Sequence, residues 1–139
     1  MKRKLVILSI FTIFFIIFIY KEFNLNLNQL TRVDVQVFSG ESSESETIII
    51  EEETIKALRE IFRKIDWEQN VEVEMSRKED VKATLFFTDD RNMPDRLYEY
   101  LLWFHQDNES ASIFDREKNA FATIEKEEAQ KLKNILVKN

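Results

Sequence analysis

Cysteine is absent from this 139-residue chain. No disulfide, thiolate metal site, cysteine nucleophile or lipid-accepting cysteine can therefore be built from it. A thiol-free chain also suits an oxidising exterior. Glycine and proline occur once each, as Gly40 and Pro94. A phosphate-cradling loop needs glycines where backbone meets ligand, so a nucleotide-binding loop is not expected. Histidine is equally scarce, with His105 alone. A histidine-rich zinc site is excluded by arithmetic, because such sites take several His or Cys ligands. A positive charge excess is missing too. The formal charge is −6. The first twenty residues hold Lys2, Arg3 and Lys4 and no acid, so the rest of the chain is more acidic still. Such a domain repels phosphate backbones, and nucleic acid is not an expected partner.

What is present begins with an uncharged apolar run, Leu5 to Tyr20. As a helix it would extend about 24 Å, a little less than the hydrocarbon core of about 30 Å. Lys4 and Lys21 can snorkel outward, and Tyr20 and Phe23 suit the interface. Between Phe14 and Gln29 no Ala, Gly or Ser offers a signal-peptidase site. The run reads as an uncleaved single-pass signal anchor in a cell membrane. The three basic residues before it predict a cytoplasmic N-terminus and an extracytoplasmic domain. The expected organisation is a membrane anchor over 1–22, a tether over 23–30 and a domain over 31–139.

Within that domain, Val33, Val35 and Val37 alternate with Asp34 and Gln36, the period of a half-buried strand. Ser39 to Ser45 reads as a loop and Thr47 to Ile50 as a short strand. Ile55, Leu58, Ile61, Phe62 and Ile65 then fall on one helical face. Glu51 to Glu53 precede that helix and Arg63 and Lys64 end it, matching the helix dipole. Val71, Val73 and Met75, and then Val81, Ala83, Leu85 and Phe87, predict a hairpin with a loop over Ser76 to Asp80. Leu97 to His105 is open to two readings. Leu97, Leu101 and Phe104 allow a helix, whereas Tyr98, Tyr100, Leu102 and Phe104 allow an aromatic strand, the favoured reading. Ser110 to Phe114 and Phe121 to Ile124 complete a predicted meander. Ala129, Leu132, Ile135 and Leu136 return to helical spacing. The expected fold class is α+β: a transmembrane helix, then a mostly antiparallel sheet of about five or six strands, with two amphipathic helices on one face.

Candidate chemistry is sparse. His105 would have to carry any Ser–His catalysis alone. Asp89, Asp90 and Asp107 are available carboxylates, but they lack the spaced acids and turn glycine of a calcium loop. Trp103 lies out of phase with Tyr98, Tyr100 and Phe104 on a strand, which predicts aromatic surface on an outer face. Tyr98, Tyr100, Trp103 and His105 are thus the expected binding residues, with no catalytic residue, metal ligand or cofactor. Ala83 to Phe87, Tyr100 to Phe104, Ser112 to Asp115, Ala122 to Ile124 and Lys131-Leu132 resemble the YhfM-like proteins of Gram-positive bacteria. These are small anchored or lipid-modified extracytoplasmic proteins without an established activity. The resemblance spans roughly residues 30–139 and implies location and fold, and no catalytic residue. The expected function is a non-enzymatic module binding a protein or cell-envelope partner. A carboxylate-dependent envelope hydrolase and an acidic cation-binding domain are the alternatives.

Overall fold

The computed structural model describes residues 7, 9–16, 26–39 and 43–137. Its centre is one seven-stranded antiparallel sheet, in the order β2-β1-β4-β5-β6-β7-β3. The strands are β1 (Leu30–Ser39), β2 (Ser43–Ile49), β3 (Glu68–Gln69), β4 (Val81–Phe87), β5 (Arg96–Phe104), β6 (Ala111–Asp115) and β7 (Ala120–Ile124). Two helices, α1 (Glu52–Arg63) and α2 (Lys126–Leu136), each follow a strand.

Alternation builds the sheet. Residues 81, 83, 85 and 87 of β4 are buried, and those between them are half-buried. With Val33, Val35, Tyr100, Leu102, Phe104, Ile113 and Ala122, they form a core with the inner faces of α1 and α2. From the helices, Ile55, Leu58, Ile61, Phe62, Ala129, Leu132 and Leu136 close over this face. Glu52 and Glu53 occupy the first turn of α1, where carboxylates meet the positive end of the dipole. Arg59 ties α1 to the sheet, donating to the Leu30 carbonyl at 2.7 Å. Lys64 and Glu128 join the two helices at 3.3 Å.

The opposite face carries a second buried patch. Leu101 and Trp103 are 6% and 5% exposed, yet lie outside the helix-side core. Their cover is the segment from residue 70 to 80. It must travel from β3 at the sheet edge to β4 in the middle. Arg77 accepts a hydrogen bond from the Trp103 indole through its carbonyl at 2.9 Å, which fixes the path over the outer face.

Several expectations are corrected. The sheet has seven strands, not five or six. Val71 to Met75 pairs with no strand, although residues 71, 73 and 75 are half-buried and those between them exposed. Ser43 to Ser45, expected in a loop, pair with β1. Glu68–Gln69 is a strand with no pattern to announce it, because two residues hold no period. Leu27–Gln29, expected in the tether, form a 3-10 turn capped by the Asn26 side chain.

The transmembrane anchor is overturned as well, and with it the single-pass, extracytoplasmic placement. Among the described residues no helix is long and apolar enough to cross a membrane. Ile7 and residues 9–16 are helical. The rest of Leu5 to Tyr20 lies outside the described residues.

Candidate ligand pocket

Where β5, β6, β7 and β3 run side by side, one cross-strand row holds Tyr100, Asp115, Ala120 and Gln69. All four line a pocket of about 370 Å³ beneath the end of α1. The small Ala120 leaves room that a larger side chain would fill. Phe62 and Trp67 bracket the Tyr100 ring, with centroids 5.5 Å and 5.7 Å away. Trp67 sits on the connection leaving α1, half-buried, and forms an apolar wall. Arg63 and Lys118 lie at the margin. Arg63 is ion-paired with Glu60, and the Lys118 ammonium lies 5.8 Å from the Tyr98 ring.

Two polar side chains at the floor are almost fully buried. Tyr100 is 2% and Asp115 3% exposed. Asp115 closes the β6–β7 turn: its Oδ1 accepts the Glu117 and Lys118 backbone N–H groups at 3.1 and 3.3 Å. Among the described residues, neither Asp115 Oδ2 nor the Tyr100 hydroxyl has a hydrogen-bond partner. Among the described residues the buried side-chain atom left without a partner is Arg59 Nε, so these two atoms open onto the pocket and are not sealed inside the protein. Burial, and then the nearby Asp115 charge, push the Tyr100 phenol well above its ordinary range.

The four expected binding residues do not form one surface. Tyr98 and Tyr100 face the helices, and Tyr98 meets Phe87 edge-on at 5.4 Å. Trp103 is on the outer face under residues 70–80, so the aromatic surface expected there is covered. His105, just past β5, approaches Ser112 with Nε2 to Oγ at 2.8 Å. This Ser–His pair was not legible in the sequence, since only strand register brings the two together. Ser112 is 5% exposed and lines none of the described pockets. A nucleophile needs access and an orienting acid behind the histidine. The pair shows neither, and the bond satisfies the buried Ser112 hydroxyl and the half-buried His105 ring.

The loop carboxylates are also dispersed. Asp89 pairs with Arg96 at 2.6 Å, Asp90 caps the Asn92 N–H at 3.1 Å, and Asp107 caps the Asn108 N–H at 2.9 Å. Among the described residues no three His, Cys, Asp or Glu side chains are grouped to hold a metal ion. Sequence reasoning missed Trp67, Asp115 and Gln69 as site residues.

No protein-family model and no curated protein matches this chain. A solved structure of a thioesterase-like protein from Clostridium sporogenes ATCC 15579 is similar in fold. Its TM-score is 0.54 at 15% identity, over 79% of this chain and 96% of that one. At this identity the likeness shows a shared fold.

Proposed function

We propose that this domain is a binding module that holds a small organic ligand, with a flat apolar body, in the pocket between Trp67 and Tyr100. The observation carrying this reading is the pocket's make-up: an aromatic wall above a floor with two polar atoms that lack protein partners and open onto the cavity. Small-molecule sites have this composition, a mostly apolar cavity of about 300–1,000 Å³ with a few placed polar groups. A ring laid against Trp67 gains about 0.5–1.5 kcal/mol beyond its buried area. A probe of about ten heavy atoms would then bind near the millimolar range.

The test is calorimetric titration of the full chain with indole as a neutral aromatic probe. Trp67→Ala should abolish the heat, and Ile48→Ala, on the exposed side of the edge strand β2, should not. Absence of heat with the unaltered chain at millimolar indole would sink the reading.

A second reading, a hydrolase, draws on the fold shared with the thioesterase-like protein. Against it stands the pocket's chemistry, since no serine, threonine or histidine is among the described residues lining it, and Ser112 is covered. Turnover of a short acyl-thioester probe by the full chain, lost in Asp115→Asn, would establish it.

A further inference from the structure

The pocket floor carries a more specific consequence, which rests on the binding reading above. Asp115 is a carboxylate held almost out of solvent, with Oδ1 committed to two backbone N–H groups and Oδ2 open to the cavity. A carboxylate oxygen that opens onto a partly enclosed cavity is a strong acceptor there, because hydrogen bonds to charged groups contribute more than neutral ones. Arg63, the nearest guanidinium along the wall, is instead paired with Glu60. The ligand group that suits Oδ2 is therefore a hydrogen-bond donor, best a charged one. The surroundings agree. The π-face of Trp67 attracts cations, and the negative end of the α1 dipole lies at the pocket. Arg63 and Lys118, which also line the pocket, act in the opposite sense.

We propose that the pocket selects organic amines: a protonated ammonium donating to Asp115 Oδ2 and to the Tyr100 hydroxyl oxygen, with an attached ring against Trp67. A charge-assisted hydrogen bond at such a site contributes enough to separate an amine from its neutral analogue by about tenfold.

Four probes, titrated into the full chain, decide it: 2-phenylethylamine, its isosteric alcohol 2-phenylethanol, phenylacetate and indole. The expected result is that the amine binds about tenfold tighter than the alcohol, and that the carboxylate binds weakest. Asp115→Asn keeps an oxygen for the turn N–H groups and should remove the amine's advantage while leaving alcohol and indole binding in place. Trp67→Ala should weaken all four together. Equal affinity for amine and alcohol, or an advantage that survives Asp115→Asn, would overturn the amine preference and leave the pocket reading standing. Tightest binding of the carboxylate would overturn it in favour of Arg63 and Lys118. No binding by any probe would remove the pocket reading and this inference together. Should Asp115→Asn fail to fold, Tyr100→Phe supplies the second arm, with a smaller loss for the amine than for the alcohol counting against the proposal.

Discussion

The Trp103 indole nitrogen donates to the Arg77 carbonyl across 2.9 Å, from opposite sides of the gap between the sheet and the segment crossing it. This contact gives Trp103 a buried role on the face that would otherwise be open. Around it, Asp80 Oδ2 accepts the Phe104 N–H at 2.7 Å, and Arg77 donates to the Phe104 carbonyl at 2.9 Å. The end of β5 is thus bound to the crossing segment by both its N–H and its C=O.

Trp103→Phe keeps most of the packing and removes the indole donor, leaving the Arg77 carbonyl to find another partner. The expected loss is about 1 kcal/mol. Trp103→Ala removes the packing as well and should cost about 3–5 kcal/mol. Urea denaturation of both variants measures the difference. Equal losses would show that the indole body contributes nothing beyond its N–H.

Asp80→Ala takes away the acceptor for the Phe104 N–H and the partner of Arg77, whose guanidinium is held above its ordinary pKa chiefly by its hydrogen bond to Asp80. A lost hydrogen bond to a charged group predicts about 1.5–3 kcal/mol of destabilisation. Amide exchange should rise first at Phe104 and along residues 70–80. Uniform acceleration throughout the sheet would contradict a local anchor.

Stability should fall at high pH through Tyr100. Its phenol is raised in the folded chain above the ordinary value of 10.0. Between the unfolded and folded values the native state keeps a proton that the unfolded chain has released. Stability therefore stays full below about pH 10 and declines as pH rises beyond it. Tyr100→Phe should flatten that alkaline decline. Tyrosinate absorbance should also show a tyrosine that resists ionisation until the chain unfolds.

On the acid side, Glu109 bonds Lys126 at 2.6 Å, and this hydrogen bond is the main cause holding its carboxyl below the ordinary range. A lowered folded value gives stability present above the unfolded value of 4.5 and lost as pH falls through the folded one. Glu109→Gln should therefore matter near neutral pH and become indistinguishable from the parent in strong acid. Because the pair is exposed, high salt should shrink the difference. A salt-insensitive difference would point to packing instead.

Ser112→Ala tests the Ser–His pair directly. It removes one hydrogen bond at His105 and should cost about 1 kcal/mol or less. Any thioester turnover by the chain should be unchanged. A loss of turnover with unaltered thermal stability would return Ser112 to consideration as a nucleophile.

Strands and helices with their own period were legible in the chain. Val81 to Phe87 alternates because β4 lies mid-sheet with one face in the core, and Ile55, Leu58, Ile61 and Phe62 mark the buried stripe of α1. The ambiguous stretch at Leu97 resolves as β5, whose residues 100–104 are all buried. A strand covered on both faces loses its alternation, which is why helix and strand both fitted there. Val71 to Met75 misled in the opposite way: its burial alternates as a strand's does, without pairing.

By itself, then, the sequence determined which segments bury a face and with what period, since that follows from local spacing and side-chain type. It also determined the chemistries that are excluded, because an absent residue cannot act wherever the chain goes. Only the tertiary structure decided how faces and edges meet. It placed Glu68–Gln69 beside β7, drew residues 70–80 over Trp103, and aligned Tyr100, Asp115, Ala120 and Gln69 into one row. Register and crossover depend on contacts between residues far apart in the chain, and no local pattern records them.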